Sequence, residues 1–222
     1  MEDDEEMMPM FMPLLSGSQE FLTRNRIIYF SGEFTEESAR DVIGRLLALN
    51  ATGIGEDITL IIDSCGGSVA AFLAIYDTIT KLIYCDVATL CLGQAMSAGQ
   101  LLLMSGTKGK RFITENSRVM MHQISSGTVG KISDMEKHVG FVKDLSRTVQ
   151  KLILSHTKIR KGELERLMQM DSFMTAEEAL KLGIVDFIVR NPKDFYSRIS
   201  KQQDRINKIA KSVAKTSKIK EV

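Results

Sequence analysis

Ser97 lies in the stretch VATLCLGQAMSAGQLLLMSG (Val87 to Gly106), where one apolar run ends in Gly-Gln-Ala-Met-Ser and a second begins at once. The pattern places it where a strand gives way to a helix. A serine hydroxyl is a useful nucleophile only when it is exposed, has a base in reach, and is flanked by donors for the developing oxyanion. A helix start offers such donors, because its first backbone N–H groups have no partner inside the helix. The small residues Ala95, Ala98 and Gly99 leave room for a substrate. The junction also has a plainer use, since serine is a preferred helix N-cap. The pattern is not the G-x-S-x-G elbow of the α/β-hydrolases. Both uses stay open on this stretch alone.

A base is easy to look for, because the chain has three histidines. His138 and His156 fall in a long polar helical region, where a histidine is usually solvated. His122 closes the apolar strand SRVMMHQ, and strand ends are where α/β folds place working side chains. With an exposed serine and an acid it makes a triad. Two acids compete for that place. Asp171 stands among apolar residues in MQMDSFMTAEEA, and Asp63 ends a strand in IIDSCGG. Periodicity does not choose between them. The adjacent glycines of DSCGGSV (Asp63 to Val69) read either as a tight turn or as a backbone that comes close to a ligand. In the second reading they supply an N–H donor and an extended edge for a peptide.

The elements that must position these residues alternate between strand and helix. RIIYFSG, DITLIIDSCGG, DVATLCL and SRVMMHQ read as strands. TEESARDVIGRLLALNA, SVAAFLAIYDTITKL and SAGQLLLMSG read as helices, the first capped at Thr35. From Ser133 to about Met170 the pattern is long, polar and helical, and TAEEALKLGIVDFIV gives a short helix and a last strand. The fold class expected is α/β, with stacked βαβ units and a mainly parallel sheet. Around this domain, residues 1–20 form an acidic, methionine-rich arm, and residues 191–222 a basic tail with Ile199, Ile206, Ile209 and Val213 at helical spacing.

Composition narrows the classes. The 222 residues are 44% hydrophobic and 26% charged, with a formal net charge of +1. One soluble domain with appendages fits that balance, and nothing in it argues for nucleic acid or an anionic membrane as partner. Cys65, Cys85 and Cys91 make an odd count without metal-ligand spacing, which points to a reducing compartment. No apolar run reaches the roughly 18 residues of a membrane span. The acidic start MEDDEEMMPMFM has the wrong sign for a targeting peptide. A cytoplasmic protein is expected.

Taken together, four blocks of the chain resemble the proteolytic subunit of the Clp protease, the self-compartmentalised serine peptidase family. CLGQAMSAG is similar to the family's CMGQAASMG, and GKRFITENSRVMMHQ to GKRFxLPNSRxMIHQP. MDSFMTAEEALKLGIVD is similar to RDxFMSAxEAxxYGLID, and IDSCGGSVAAFLAIYDT to INSPGGSVxAGxAIYDT. The likeness runs from about Phe21 to Val189. It implies Ser97 as nucleophile, His122 as general base, Asp171 as the acid, and the N–H groups of Gly67 and Ala98 as the oxyanion hole. It also implies a crotonase-like spiral of ββα units in residues 21–190, with a protruding helical handle over about 133–160.

The resemblance further implies a homo-oligomer of two stacked heptameric rings, a tetradecamer with the triads inside. A hexameric AAA+ unfoldase of the Clp family spends the ATP and threads unfolded proteins inward, and short peptides leave. The subunit itself needs no cofactor and no metal. This chain departs from the pattern at several points. Cys65 and Ile124 replace prolines, and one extra residue lies between Asp77 and Asp86. Thr59 and Ile61 stand where the family carries tyrosines for docking the unfoldase, whereas Phe112 is kept. The docking departures support an alternative, a weakly active or non-catalytic structural paralogue in a mixed ring. A crotonase-type acyl-CoA enzyme shares the oxyanion geometry but not the MMHQ and MDSF blocks.

Overall fold

In the computed structural model, residues 18–198 are described. The axial arm expected over 1–20 lies outside them except for its last three residues, which open helix α1 (18–24). The tail beyond residue 198, with its helical spacing of isoleucines, also lies outside.

Strand β1 (Ile27–Phe34) leads into α2 (Glu36–Thr52), β2 (Ile58–Gly67), α3 (Val69–Asp77) and β3 (Val87–Met96). Thr35 caps α2 through a reciprocal bond pair with Ser38, and the helix buries Ala39, Val42, Leu46 and Leu49 along one stripe. Its C-terminal carbonyls end on the buried Arg26, which donates to the oxygens of Leu49 (3.0 Å) and Gly53 (3.2 Å). The three strands pair in parallel, because a helix crosses over between each and the next. The residue counted as extra between Asp77 and Asp86 falls in a π-helical turn, Thr78–Leu82, directly after α3. A wider i→i+5 turn takes up one additional residue without shifting the strand that follows.

The site depends on a fork in β3. Its first part, Thr89–Cys91, pairs with β4 (Arg111–Thr114), and β4 pairs with β7 (Phe187–Val189). Its last part, Gln94–Met96, pairs instead with β5 (Arg118–Met121). Strand β5 runs antiparallel to β6 (Ser172–Met174), the one antiparallel pair among the described residues. Thus β3 delivers Ser97, β5 delivers His122, and the start of β6 delivers Asp171. The α/β class with a mainly parallel sheet is what the alternating pattern called for.

Helices α2, α3 and α4 (Ala98–Met104) pack over one face of the sheet in the main core. A second apolar cluster gathers Ala88, Leu90, Phe112 and Phe195, with Ile61, Phe187 and Tyr196 against it. Phe195 comes from α8 (Pro192–Tyr196), capped by Asn191. Two expectations change here. The first residues of the basic tail form an ordered helix rather than an appendage. Phe112, kept at a docking position, is fully buried beneath Phe195, whose ring centroid lies 5.0 Å away. Thr59 is buried as well.

The long helical region resolves into α5 (Ile132–His156) and α6 (Lys161–Met168). At 1.5 Å per residue α5 is about 37 Å long, yet only Val149 and Ile153 on it are buried. Its first half therefore stands clear of the core, where a handle was expected. Helix α7 (Ala176–Lys181) is capped by Thr175 and Glu178. No helix among the described residues is long and apolar enough to cross a membrane.

Candidate active site

Ser97 follows the last residue of β3 and precedes α4. Its backbone adopts φ 52° and ψ −118°, a left-handed conformation that Arg26 alone shares among the described non-glycine residues. Such a conformation costs on the order of 1–3 kcal/mol and persists only when neighbours over-determine it. Here they do. The Ser97 N–H donates to Met120 O on β5 (2.9 Å), and its carbonyl accepts from Leu101 N–H in α4 (3.2 Å). Gly66 presses on it from β2: a Cβ on Gly66 would lie 2.7 Å from the Ser97 Cβ, and its φ of +105° favours glycine. Gly67 is equally tight, since a Cβ there would meet Phe34 O at 2.6 Å.

The Ser97 side chain makes no capping bond to α4. Its Oγ lies 2.8 Å from His122 Nε2 instead, so the plain N-cap alternative does not describe this serine. On the other side of the ring, His122 Nδ1 stands 3.4 Å from Asp171 Oδ1. That is an ion-pair distance rather than a hydrogen bond. A carboxylate beside Nδ1 favours the tautomer protonated there, which leaves Nε2 to accept the serine proton. The Asp171 side chain is 61% exposed, and its neighbours Met170 and Phe173 are exposed too.

The competing acid is elsewhere. Asp63 lies against Gly93, where an added Cβ would come within 3.0 Å of its Oδ1. The other histidines are also apart from Ser97. His138 on α5 shares a 2.8 Å contact with Ser126 Oγ. His156 packs edge-on against Tyr76, and its carbonyl accepts from Arg111. All three cysteines are free. Cys91 lies inside the sheet, and burial pushes its thiol up to about 12, so it is no thiolate nucleophile at neutral pH. No cluster of three or more metal-ligating side chains occurs among the described residues.

Two residues of the site escaped the sequence. Ser64 is fully buried, donates to Gly32 O and accepts from Gly66 N–H at 3.1 Å, which holds the glycine turn in shape. A serine after a strand-end aspartate gives no hint of this. Gln100 lines a cavity of about 60 Å³ beside Ser97 and His122, though its helix looks uniformly apolar in sequence.

The arrangement sets a strained serine against a histidine, with a carboxylate behind it and a glycine backbone beside it. Comparison with known families agrees with the chemistry this suggests. A family model described as Clp protease matches residues 15–192, and the chain belongs to the Clp protease family.

Proposed function

We propose that this chain is a serine endopeptidase subunit that cuts unfolded proteins into short peptides. The observation that carries the reading is the 2.8 Å contact between Ser97 Oγ and His122 Nε2. As Oγ attacks a peptide carbonyl, His122 takes its proton, and the C–N bond breaks once that proton passes to the leaving amine. The acyl group then rests on Ser97. Water, deprotonated by the same histidine, attacks it, and the proton returns to Oγ as the carboxylate product leaves. Asp171 orients the ring and stabilises its charged form. The N–H groups of Gly67 and Ala98 receive the oxyanion. Helix α4 begins at Ala98, so that N–H has no partner within its own helix.

In this reading the subunit works in a tetradecamer of two stacked heptameric rings in the cytoplasm, fed by a hexameric ATP-driven AAA+ unfoldase of the Clp family, and itself carries no cofactor. Residues 1–20 form the arm at the axial opening. Support comes from the handle, where Ile132, Met135 and Val139 expose an apolar strip on the free half of α5. The test is hydrolysis of fluorogenic peptides by the assembled protein beside Ser97→Ala, with fluorophosphonate labelling of Ser97. A barrel of full mass that neither cleaves nor takes the label overturns it.

One observation favours a second reading, a silent or weakly active subunit in a mixed ring. Asp171 is largely exposed and stands beyond hydrogen-bond distance from His122. Homomeric rings that cleave peptides exclude this alternative.

A further inference from the structure

Buried polar side chains in this fold mostly end on strong partners. Thr78, Thr89 and Ser105 each donate to a backbone carbonyl between 2.6 and 2.8 Å. Gln100 is different. It is 1% exposed, and the one hydrogen bond of its amide among the described residues runs from Nε2 to the Met104 sulfur at 3.6 Å. A thioether is a weak acceptor, whereas a primary amide has two donor hydrogens and an acceptor oxygen to satisfy. A buried amide with that capacity left over is stabilised by whatever polar group enters beside it.

The cavity that Gln100 lines also holds Ser97 and His122 on its wall. Its remaining surface is mainly apolar, from Val69, Leu101, Met121, Val149 and Ile153. At about 60 Å³ it has room for roughly four to six atoms of water size, taking about 10–15 Å³ for each. That excludes an aromatic ring with its methylene. His122 is the one titratable side chain on the lining, so a carboxylate or ammonium would enter without a counter-charge. An apolar branched side chain would fit by size but would leave the Gln100 amide dry and unpaired.

We propose that Gln100 sets the specificity of this site, and that the cavity takes a substrate glutamine at the residue whose carbonyl Ser97 attacks. The glutamine stem lies along the apolar wall, and its amide pairs with that of Gln100. This rests on the peptidase reading, because it needs a peptide bound at Ser97. A pocket that must hydrogen-bond its ligand discriminates against isosteres that cannot. One such bond corresponds to about tenfold in kcat/KM.

The experiment uses the assembled full chain and a set of fluorogenic peptides that differ only in that residue: glutamine, leucine, glutamate or phenylalanine. The expected order puts glutamine about tenfold above leucine, with glutamate and phenylalanine last. In Gln100→Leu the order of glutamine and leucine reverses while cleavage of the leucine peptide continues. Gln100→Met, which keeps the length but loses the amide, behaves like Gln100→Leu. A wild-type preference for leucine or phenylalanine overturns the proposal, as does an unchanged ratio in both variants. Peptides ending in glutamine or leucine are also titrated by fluorescence anisotropy onto Ser97→Ala, in which no turnover is needed. Loss of hydrolysis with an intact glutamine preference in binding defeats the peptidase reading and leaves the role of Gln100 standing. Equal affinity for the two peptides defeats the role of Gln100.

Discussion

Asp171 and Asp186 each face a side chain able to carry positive charge, and the fold treats them in opposite ways. Asp186, just before β7, is mostly buried and grips Arg111 with both oxygens, at 2.9 Å to Nε and 2.6 Å to Nη2. It also accepts from the backbone N–H groups of Gly109 and Arg111. Asp171 is largely exposed and reaches His122 at 3.4 Å. The tighter pair joins β4 to the segment entering β7, and it lies apart from Ser97. The looser pair lies in the candidate site. Bond quality within one chain therefore marks structure here and not chemistry. Met170 and Phe173, exposed on either side of Asp171, add a reason: the acid stands at a rim that this chain does not close by itself, while the serine is held by β2, β3, β5 and α4 of the same chain.

The largest effect sets the scale for that contrast. Ser97→Ala removes the nucleophile and is expected to lower kcat by about 10⁶, the order seen when a triad serine is lost. Single-turnover hydrolysis and mass spectrometry of the acyl adduct measure it. A residual rate within tenfold of wild type would mean that cleavage does not pass through this serine.

Asp171→Asn comes next and is the direct probe of the loose contact. If the acid closes onto His122 in the working assembly, kcat falls by about 10⁴, as for a triad aspartate turned to amide. A fall of less than tenfold would show that the contact stays open and that His122 works without it. Comparing the variant in assembled rings and in separated subunits says whether assembly is what closes it.

Gly66→Ala tests the tight side. A Cβ there would stand 2.7 Å from Ser97 Cβ and 3.0 Å from Met96 O at a φ of +105°. Ser97 must shift, and a displacement near 1 Å costs about 10² in rate. The loss is expected in kcat with KM little altered, since the walls of the cavity are elsewhere. Unchanged kcat would mean that the serine has more freedom than its three neighbouring elements suggest.

Much of this was legible in the sequence, for reasons that differ by region. Strand–helix alternation follows from local periodicity, and the cap at Thr35 from a local residue pair. Ser97 and His122 were found because histidine is scarce and both stand at strand ends. What brings them together is the fork of β3, a matter of pairing between distant segments that no local pattern encodes. The choice between Asp63 and Asp171 depended on the same non-local pairing, here β5 with β6. Phe112 was misjudged because Phe195, which covers it, sits in a stretch whose lysines and arginines dominate its composition. Gln100 stayed hidden because burial of one polar residue in an apolar helix is decided by what packs on it.

The smallest effect concerns the tight carboxylate and separates stability from catalysis. Burial pushes the Asp186 carboxyl up, but the Arg111 guanidinium and the two backbone N–H groups outweigh it and hold the group below its ordinary value. A carboxylate depressed in the folded state stabilises the fold above its unfolded value of about 3.9, and that stabilisation is lost as pH falls through the folded value. Asp186→Asn removes it at neutral pH. A fully buried pair costs about 3–5 kcal/mol when broken, and the partial exposure of this one brings the expected loss to about 2 kcal/mol. Urea unfolding at pH 7 and again near pH 3 measures both: the gap between wild type and variant is full at pH 7 and narrows in acid. Peptide hydrolysis at pH 7, where both proteins are folded, should be unchanged. A gap that persists undiminished in acid would assign the stability to packing around Asp186 and not to its charge, and the contrast with Asp171 would then be one of burial alone.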